Sequence, residues 1–342
     1  MNLDYNSSSS SDDQFDDMVN NMILYNAYLE EQEDYSLRKT NFSTTTRRNW
    51  KLGASTHQKC TAALRCLAYG SASDAVDEYI KIAESTAKEC LVHFVQGIRK
   101  AFPEYLRRPT VTDLQRLLRD GERRGFPGMM GSIDCMHWQW KNCPRAWKGL
   151  YQGRSKSATV ILEAVASGDL WIWHAFFGTP GTCNDINVLA RSPVFDDLYQ
   201  GRAPEVTFNV NGNTYNRGYY LTDGIYPKWA VFMPAIRLPL SPVDELFTKR
   251  QESVRKDVER AFGVLQARFA IIQRPSLIWD EHLMWEIMLA CIILYNMIVD
   301  ERDTYLNYQD ASDFEQENAS IASTSSSHRL ETFLFNLVAT MI

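Results

Sequence analysis

The first 37 residues contain nine acidic residues and neither lysine nor arginine. A secretory signal needs a basic start followed by an apolar run, so we expect no such signal here. Apolar runs such as Cys291 to Leu294 are far shorter than the roughly 20 residues that cross a bilayer. These two deficits predict a protein that has no membrane partner.

Paired cysteine motifs and nucleotide-binding loops are also missing. The chain has seven cysteines, an odd number, and without a signal this favours a reducing compartment. Cys135 and Cys143 have no partner pair at zinc-finger spacing, and no His-x-His cluster occurs. No glycine-rich phosphate loop or nucleophile elbow is present. The pattern argues against a structural zinc site, a P-loop or dinucleotide-binding enzyme and a serine hydrolase.

The acidic pI of about 5.6 is an average over unlike segments. Residues 300–317 hold seven acids against a single arginine, and the end of the chain is balanced. Residues 38–299 therefore keep 34 basic and 25 acidic residues, a net charge of +9. We interpret both ends as mobile, solubilising tails around a basic body that can meet a polyanion.

The pattern predicts four segments: an acidic then basic N-terminal segment, 1–56; a helical region, 57–125; an α/β region, 126–300; and an acidic tail with a short C-terminal helix, 301–342. Within the helical region we expect helices from Gln58 to Tyr69, from Ser73 to Ile80, and from caps at Ser85 and Thr112. Short helices with tight turns suit a helix-turn-helix, but a plain helical bundle fits equally well.

The α/β region alternates strand and helix patterns. We expect strands over 132–140, 158–166 and 170–177, a hairpin turning at Asn211-Gly212, and strands over 219–222 and 231–236. Helices are predicted over 185–199, interrupted near Pro193, and over 244–271. This order predicts a mixed sheet with flanking helices.

Four carboxylates are candidates for catalysis and metal binding: Asp134, Asp185, Asp223 and Glu259. Asp134 lies inside an apolar strand, where an unpartnered acid is costly. Asp223 follows another short strand, and Glu259 borders the apolar stripe of the last predicted helix. Acids converging at one sheet edge would hold hard divalent cations, and a pair of such ions can cleave phosphodiesters.

Each acid except Asp134 has a plainer interpretation that stays open. Asp185 follows a Gly/Pro loop and could be a helix N-cap. Asp223 precedes Gly224 and could form a turn. Glu259 could pair with Arg255, one helical turn earlier. We expect His137 and His174 to be structural histidines, and His137 could also support Asp134 from the same strand.

Cations cluster around these acids in the sequence and are interleaved with aromatic residues. They could contact the phosphates that dominate nucleic-acid affinity, or they could form solvated helix faces. The DNA-binding candidates are Lys148, Arg154, Lys156, Arg255, Lys256 and Arg260.

Several long motifs resemble plant-type PIF/Harbinger transposases and their domesticated relatives, the Harbinger transposase-derived nucleases. They read SIDCMHW, LEAVASGDLWIWHAFFGTPGTCNDINVL, YYLTDGIYPKW and RKDVERAFGVLQARFAII. The resemblance runs from about Gln58 to about Asp300. It implies an RNase H-like DDE nuclease domain after a helix-turn-helix-like region, in a nuclear protein that acts on DNA with Mg²⁺ or Mn²⁺.

The resemblance also assigns roles to the four acids. It maps family acids onto Asp134, Asp185, Asp223 and Glu259, and topology favours Asp134, Asp223 and Glu259 as the triad, with Asp185 as a further ligand or support. It further implies a separate Myb-like DNA-binding partner, and an oligomer is possible. The sequence departs from the family pattern at two places. Tyr295 replaces a histidine, and an arginine-rich stretch expected before Gln58 is missing. The second departure argues against autonomous transposition.

The sequence therefore predicts a metal-dependent DNA endonuclease in which water, then a DNA 3′-hydroxyl, attacks phosphodiesters. The rival hypothesis is a transposase-derived DNA-binding or chromatin-associated regulator that has kept the fold without cleavage.

Overall fold

A computed structural model of the protein describes residues 54–70, 81–153, 156–196, 200, 203 and 206–317. The helix predicted from Ser73 to Ile80, most of the N-terminal segment and the end of the acidic tail lie outside these residues. The same holds for Arg154, one of the DNA-binding candidates.

Three helices form the described part of the N-terminal region: α1 (Thr56–Tyr69), α2 (Glu84–Ala101) and α3 (Val111–Arg123). Helix α1 begins with a capping box at Ser55 and ends at Gly70, which is in the left-handed conformation that glycine adopts readily. The caps predicted for the other two helices are wrong. Helix α2 has no side-chain cap, and Thr110 caps α3 because its hydroxyl and Asp113 satisfy each other's backbone donors.

The helical region shares one hydrophobic core with the α/β region. Leu64 and Leu67 of α1 and Phe94 of α2 belong to the same buried cluster as Trp138 and Leu162 of the sheet. Lys59 of α1 is also buried, at 7% exposure. Helix α3 packs on the sheet, whereas α1 and α2 pack mainly on each other and on helices from later in the chain. The helical region and the sheet therefore stabilise each other through one shared core.

The central sheet has five strands in the order β3-β2-β1-β6-β7. Strands β1, β2 and β3 form an antiparallel meander, and β6 and β7 continue it in parallel with β1. The predicted mixed sheet with flanking helices is thus confirmed. The bounds are β1 Met129–Gln139, β2 Thr159–Ala166, β3 Ile172–Pro180, β6 Tyr219–Thr222 and β7 Phe232–Pro234.

Short elements connect these strands. Helix α4 (Lys148–Tyr151) follows β1, and α5 (Asp185–Leu189) follows β3, with a 3₁₀ turn at Pro193–Phe195. Strands β4 (Phe208–Val210) and β5 (Asn213–Tyr215) form the predicted hairpin. Asn211 and Gly212 both have positive φ, at 50° and 80°, as the Asn-Gly turn requires.

The long helix predicted over 244–271 is instead three helices: α6 (Pro242–Arg255), α7 (Asp257–Arg268) and α8 (Ala270–Gln273). The first break falls at Lys256, and Asp257 immediately after it is buried against Arg124 of the loop that follows α3, with 2.5 Å between Nη1 and Oδ2. At this break the charged side chain of Asp257 enters the interior of the protein, where it needs a partner such as Arg124.

The last helix, α9, runs from Glu281 to Glu317, so the boundary predicted at residue 300 falls within it. Its stretch Glu281–Asp300 is long and apolar enough to cross a membrane by length and composition, unlike the short runs noted in the sequence, but 78% of the apolar window is buried inside the protein. Tyr295, the residue that departs from the family motif, donates a hydrogen bond to the Leu170 carbonyl at 2.9 Å. This stretch of α9 is therefore a core helix packed on β3.

Gly70→Ala is expected to lower the free energy of unfolding by about 1–3 kcal/mol. Gly70 has φ 56°, and a Cβ atom there would lie 2.8 Å from the backbone of Ala270. Chemical denaturation measures the change. The matched control is Gly97→Ala within α2, where a Cβ atom meets nothing within 4 Å and which should gain up to about 1 kcal/mol. Equal effects at the two positions would contradict this account of the α1 terminus.

Candidate functional site

Two of the predicted acids lie level with each other at one edge of the sheet. Strands β1 and β6 are parallel, and Ser132 lies opposite Leu221. Two residues further along each chain are Asp134, inside β1, and Asp223, directly after β6. The carboxyl end of β6 thus brings Asp223 beside the middle of β1, in the kind of position where α/β proteins build their sites.

Asp134 is a mostly buried carboxylate with two strong partners. Its Oδ1 accepts the backbone N–H of Cys135 at 2.8 Å, and its Oδ2 accepts Nη1 of Arg255 at 2.9 Å. The pKa of Asp134 is raised to about 6. Burial is the largest cause, the two donors oppose it, and the negative charges of Asp185 and Asp223 add to it. The carboxylate is therefore held in a site that already carries excess negative charge.

Asp185 joins this group from the other face of the sheet. It is the first residue of α5, and Asn184 before it is the N-cap, with Oδ1 accepting the Asn187 N–H at 2.9 Å, so the N-cap interpretation of Asp185 is wrong. Burial, and then the charge of Asp223, raise the pKa of Asp185, whereas a hydrogen bond from the Cys135 thiol lowers it. Since Asp134 and Cys135 are successive strand residues, Asp185 approaches opposite Arg255.

Asp223 also has a structural role. Its Oδ1 accepts the backbone N–H of Ile225 at 3.0 Å, which confirms the predicted turn after β6. The turn does not exclude the acid from the site, because its charge raises the pKa of both Asp134 and Asp185.

Glu259 is linked to Asp134 through an arginine that contacts both side chains. Its Oε1 accepts Nη2 of Arg255 at 2.7 Å, so the predicted ion pair one turn apart is confirmed. The same guanidinium bonds Asp134 through Nη1, and it therefore bridges a strand acid and a helix acid. Glu259 is the most exposed of the three, with 43% of its side chain accessible against 19% for Asp134 and 16% for Arg255.

The carboxylate oxygens at this edge of the sheet are suitable ligands for a hard divalent cation. In the present arrangement, however, they do not surround one common position. Carboxylate oxygens are the ligands that Mg²⁺ and Mn²⁺ prefer. Burial is the main cause of the raised pKa of Asp134, and the nearby charges of Asp185 and Asp223, which also raise it, are charges that a cation would neutralise. Across residues 54–317, where described, no three His, Cys, Asp or Glu side chains group closely enough to hold a metal ion. Arg255 occupies the space between two of the four acids.

The DNA-binding candidates differ in availability. Lys148, Lys156 and Lys256 are exposed. Arg260 is 56% exposed but hydrogen-bonds Asp257. Arg255 is mostly buried between Asp134 and Glu259 and is not a free surface cation in this arrangement.

Sequence reasoning missed Glu163, a second acid inside an apolar strand. It lies in β2 opposite Cys135 and is fully buried, and neither of its carboxylate oxygens has a hydrogen-bond partner among the described residues. His174 Nε2 lies 3.5 Å from Oε1, and the charge of Glu163 raises the pKa of Asp185. Like Asp134, Glu163 is recognisable in the sequence as an acid within an apolar strand, where a carboxylate without a partner is costly.

The two histidines near the site hydrogen-bond hydroxyl groups. His137 Nδ1 lies 2.9 Å from Thr159 Oγ1, and His174 Nε2 lies 3.1 Å from Ser192 Oγ. Burial lowers the pKa of His137, and Asp185 opposes that shift. Both histidines are therefore satisfied side chains, as predicted.

Comparison with known proteins identifies the family. The profile described as "Plant transposon protein" matches residues 103–305, which is more than half of the chain and includes all four acids. The chain belongs to the plant transposon protein family. The resemblance to Harbinger transposase-derived proteins is thereby confirmed.

Curated relatives agree with this family. "Protein ALP1-like" of Arabidopsis thaliana is 24% identical over 86% of the chain and 73% of that protein. "Putative nuclease HARBI1" of Homo sapiens is 21% identical over 76% of the chain and 71% of that protein, and its Bos taurus counterpart is also 21% identical. No solved structure matches the chain.

The raised pKa of Asp134 predicts a pH-dependent stability. Its folded pKa of about 6 exceeds the ordinary value of 3.8. The protonated acid therefore favours folding below about pH 4, and this contribution is lost as the pH rises through 6. As the pH rises from 4 to 7, the unmodified chain should therefore lose about 2 kcal/mol of stability relative to Asp134→Asn, which cannot titrate at this position.

Urea unfolding of both proteins at pH 4, 5.5 and 7 measures this difference. Glu245→Gln, an exposed position on α6, is the matched control and should follow the unmodified chain at every pH. A pH-independent difference for Asp134→Asn would contradict the assigned pKa.

Proposed function

We propose that this protein is a metal-dependent DNA endonuclease of Harbinger transposase descent. The observation that carries the proposal is the set of acids at the edge formed by β1 and β6. Asp134, Asp185 and Asp223 interact electrostatically there, and Glu259 is joined to Asp134 through Arg255. A chain rarely keeps several carboxylates together in a partly buried site without a function for them.

The sheet order supports an RNase H-like nuclease domain. A three-stranded antiparallel meander continued by two parallel strands is the arrangement expected of that fold, with β1 at the centre. The acids also follow the expected pattern, because one lies on the central strand, one ends the neighbouring parallel strand and one lies on a later helix. This topology favours Asp134, Asp223 and Glu259 as the triad, with Asp185 as a further ligand or support.

Mg²⁺ or Mn²⁺ is the cofactor that these acids suit. Two such cations, when bound, would activate the attacking water and stabilise the leaving oxygen of the phosphodiester. The chain's own contribution is to hold the carboxylates in register: β1 and β6 align Asp134 with Asp223, and the Cys135 N–H orients the Asp134 carboxylate. Arg255 sets the position of Glu259 relative to the strand.

DNA is the substrate that the surrounding charge favours. Residues 38–299 carry a net charge of +9, and the exposed cations include Lys148 and Lys156 near α4 and Lys256 beside Glu259. The relatives named as nucleases support cleavage as the family chemistry. The proposal includes a nuclear location and a Myb-like partner that selects the DNA site.

A DNA-binding or chromatin-associated regulator without cleavage is the second candidate. Two observations favour this regulator. Arg255 neutralises Asp134 and Glu259. In addition, no three potential metal ligands group together among the described residues. A protein that kept the fold for binding would tolerate such a neutralised site.

The deciding experiment is nicking of supercoiled plasmid DNA by the full chain with Mn²⁺, Mg²⁺ or EDTA, with and without a Myb-like partner. The nuclease proposal expects nicking that depends on the metal and that EDTA abolishes. DNA that is bound in a gel-shift assay but stays uncut under every condition would establish the regulator instead.

A further inference from the structure

Arg255 joins two of the predicted metal ligands, one on a strand and one on a helix. Its Nη1 lies 2.9 Å from Asp134 Oδ2, and its Nη2 lies 2.7 Å from Glu259 Oε1. Charge-assisted hydrogen bonds of this length are the strong ones in proteins. The guanidinium therefore supplies the positive charge that a cation would otherwise bring to these two acids.

The arginine is held in place by the surrounding fold. It is the last residue of α6, directly before the break at Lys256, and Glu259 lies one turn further on in α7. Asp134 approaches from β1, where the Cys135 N–H restrains its other oxygen. With only 16% of its side chain exposed, Arg255 is fixed between a strand and a helix rather than folded along a solvated helix surface.

A guanidinium and a divalent cation compete for this position. Mg²⁺ demands carboxylate oxygens at about 2.0–2.1 Å in a near-octahedral arrangement. Asp134 Oδ2 and Glu259 Oε1 are already directed at two nitrogens of one arginine. Bringing both oxygens to a common ion requires the guanidinium to leave, because two cations sharing the same two oxygens repel each other.

We propose that Arg255 is a latch that holds Asp134 and Glu259 in the metal-free protein and must be displaced before a divalent cation binds them. The inference rests on the proposed function, because it takes these acids as metal ligands. Lys256, the next residue, is exposed at the break between α6 and α7. A DNA phosphate bound there would offer the displaced guanidinium the bidentate partner that arginine prefers. Arg255 thus weakens metal binding by the free protein, and a DNA phosphate that takes up the displaced guanidinium would favour the metal-bound state.

Mn²⁺ binding to the full chain without DNA tests the latch separately from cleavage. Isothermal titration calorimetry or electron paramagnetic resonance of free Mn²⁺ gives the affinity. Arg255→Ala is expected to bind Mn²⁺ about 10-fold more tightly than the unmodified chain, since it loses the competing charge-assisted bonds. Arg255→Lys, which keeps a charge but not the planar fork, should fall between them.

Arg250→Ala is the matched control, because it removes one exposed positive charge from the same helix and should leave the affinity unchanged. Urea unfolding of each variant verifies the fold, and Arg255→Lys carries the test if the alanine variant is unfolded. Affinity that is unchanged or weaker in the Arg255 variants would overturn the latch, as would the absence of Mn²⁺ binding in every variant. Tighter Mn²⁺ binding without any DNA cleavage would sustain the latch and count against the nuclease.

Discussion

Replacing Asp134 with asparagine is expected to lower the rate of metal-dependent DNA cleavage at least about 100-fold. Even residues that only orient a metal ligand commonly contribute 10- to 100-fold, so removal of a direct ligand should cost more. Asparagine keeps the size of the side chain and can still accept the Cys135 N–H that now bonds Oδ1. The loss should therefore come from the missing charge rather than from the fold.

Plasmid nicking with Mn²⁺ measures the effect on a variant whose unfolding curve shows an intact fold. Glu245→Gln, an exposed carboxylate on α6, is the matched control and should cleave like the unmodified chain. Cleavage by Asp134→Asn within a few-fold of the unmodified rate would remove Asp134 from the mechanism.

The same assay separates Asp185 from Asp223. The proposed triad includes Asp223, whereas Asp185 approaches on the Cys135 side of the sheet. Asp223→Asn should thus match the loss seen for Asp134→Asn, and Asp185→Asn should retain more activity. The reverse order would make Asp185 the second triad member.

Removing Arg124 is expected to destabilise the protein by about 3–5 kcal/mol, the usual result of breaking a buried ion pair. Arg124 Nη1 lies 2.5 Å from Oδ2 of Asp257, whose side chain is only 2% exposed. The other partner, Arg260, is 56% exposed and compensates little for the loss. Since Asp257 begins α7 two residues before Glu259, the pair also secures the helix that carries the catalytic candidate.

Arg124→Met tests this pair, because methionine keeps much of the apolar stem while removing the charge. Arg123→Met is the matched control: Arg123 is 78% exposed and pairs with Asp120 on the surface, and its loss should cost less than about 1 kcal/mol. Chemical denaturation compares the two. Similar losses in the free energy of unfolding at both positions would show that the Arg124–Asp257 pair stabilises the protein no more than a surface ion pair does.

Local signals in the sequence predicted much of the sheet. The Asn211-Gly212 turn and the short strand Tyr219–Thr222 follow from neighbouring residues alone, and both are present in the structure. Asp134 was identifiable because an acid within an apolar strand needs a partner. The pairing of Arg255 with Glu259 was also local, at four residues apart.

The rest depended on contacts between distant residues. Arg255 and Asp134 are 121 residues apart in the chain, so no local pattern indicates their bond. The break at Lys256 has no proline or glycine to mark it, and it accompanies the contact of Asp257 with Arg124, 133 residues away. Asn184 and Asp185 are both good caps, and only the backbone geometry shows that Asn184 caps α5.

Mn²⁺ binding by the full chain, compared with the Asp134→Asn/Asp223→Asn double variant, tests the central claim most directly. The edge of β1 and β6 is proposed to hold a divalent cation through its carboxylates, so calorimetry should show saturable binding to the unmodified chain. The double variant, verified as folded, should lose that binding. Equal Mn²⁺ affinity and stoichiometry in both proteins would contradict the account.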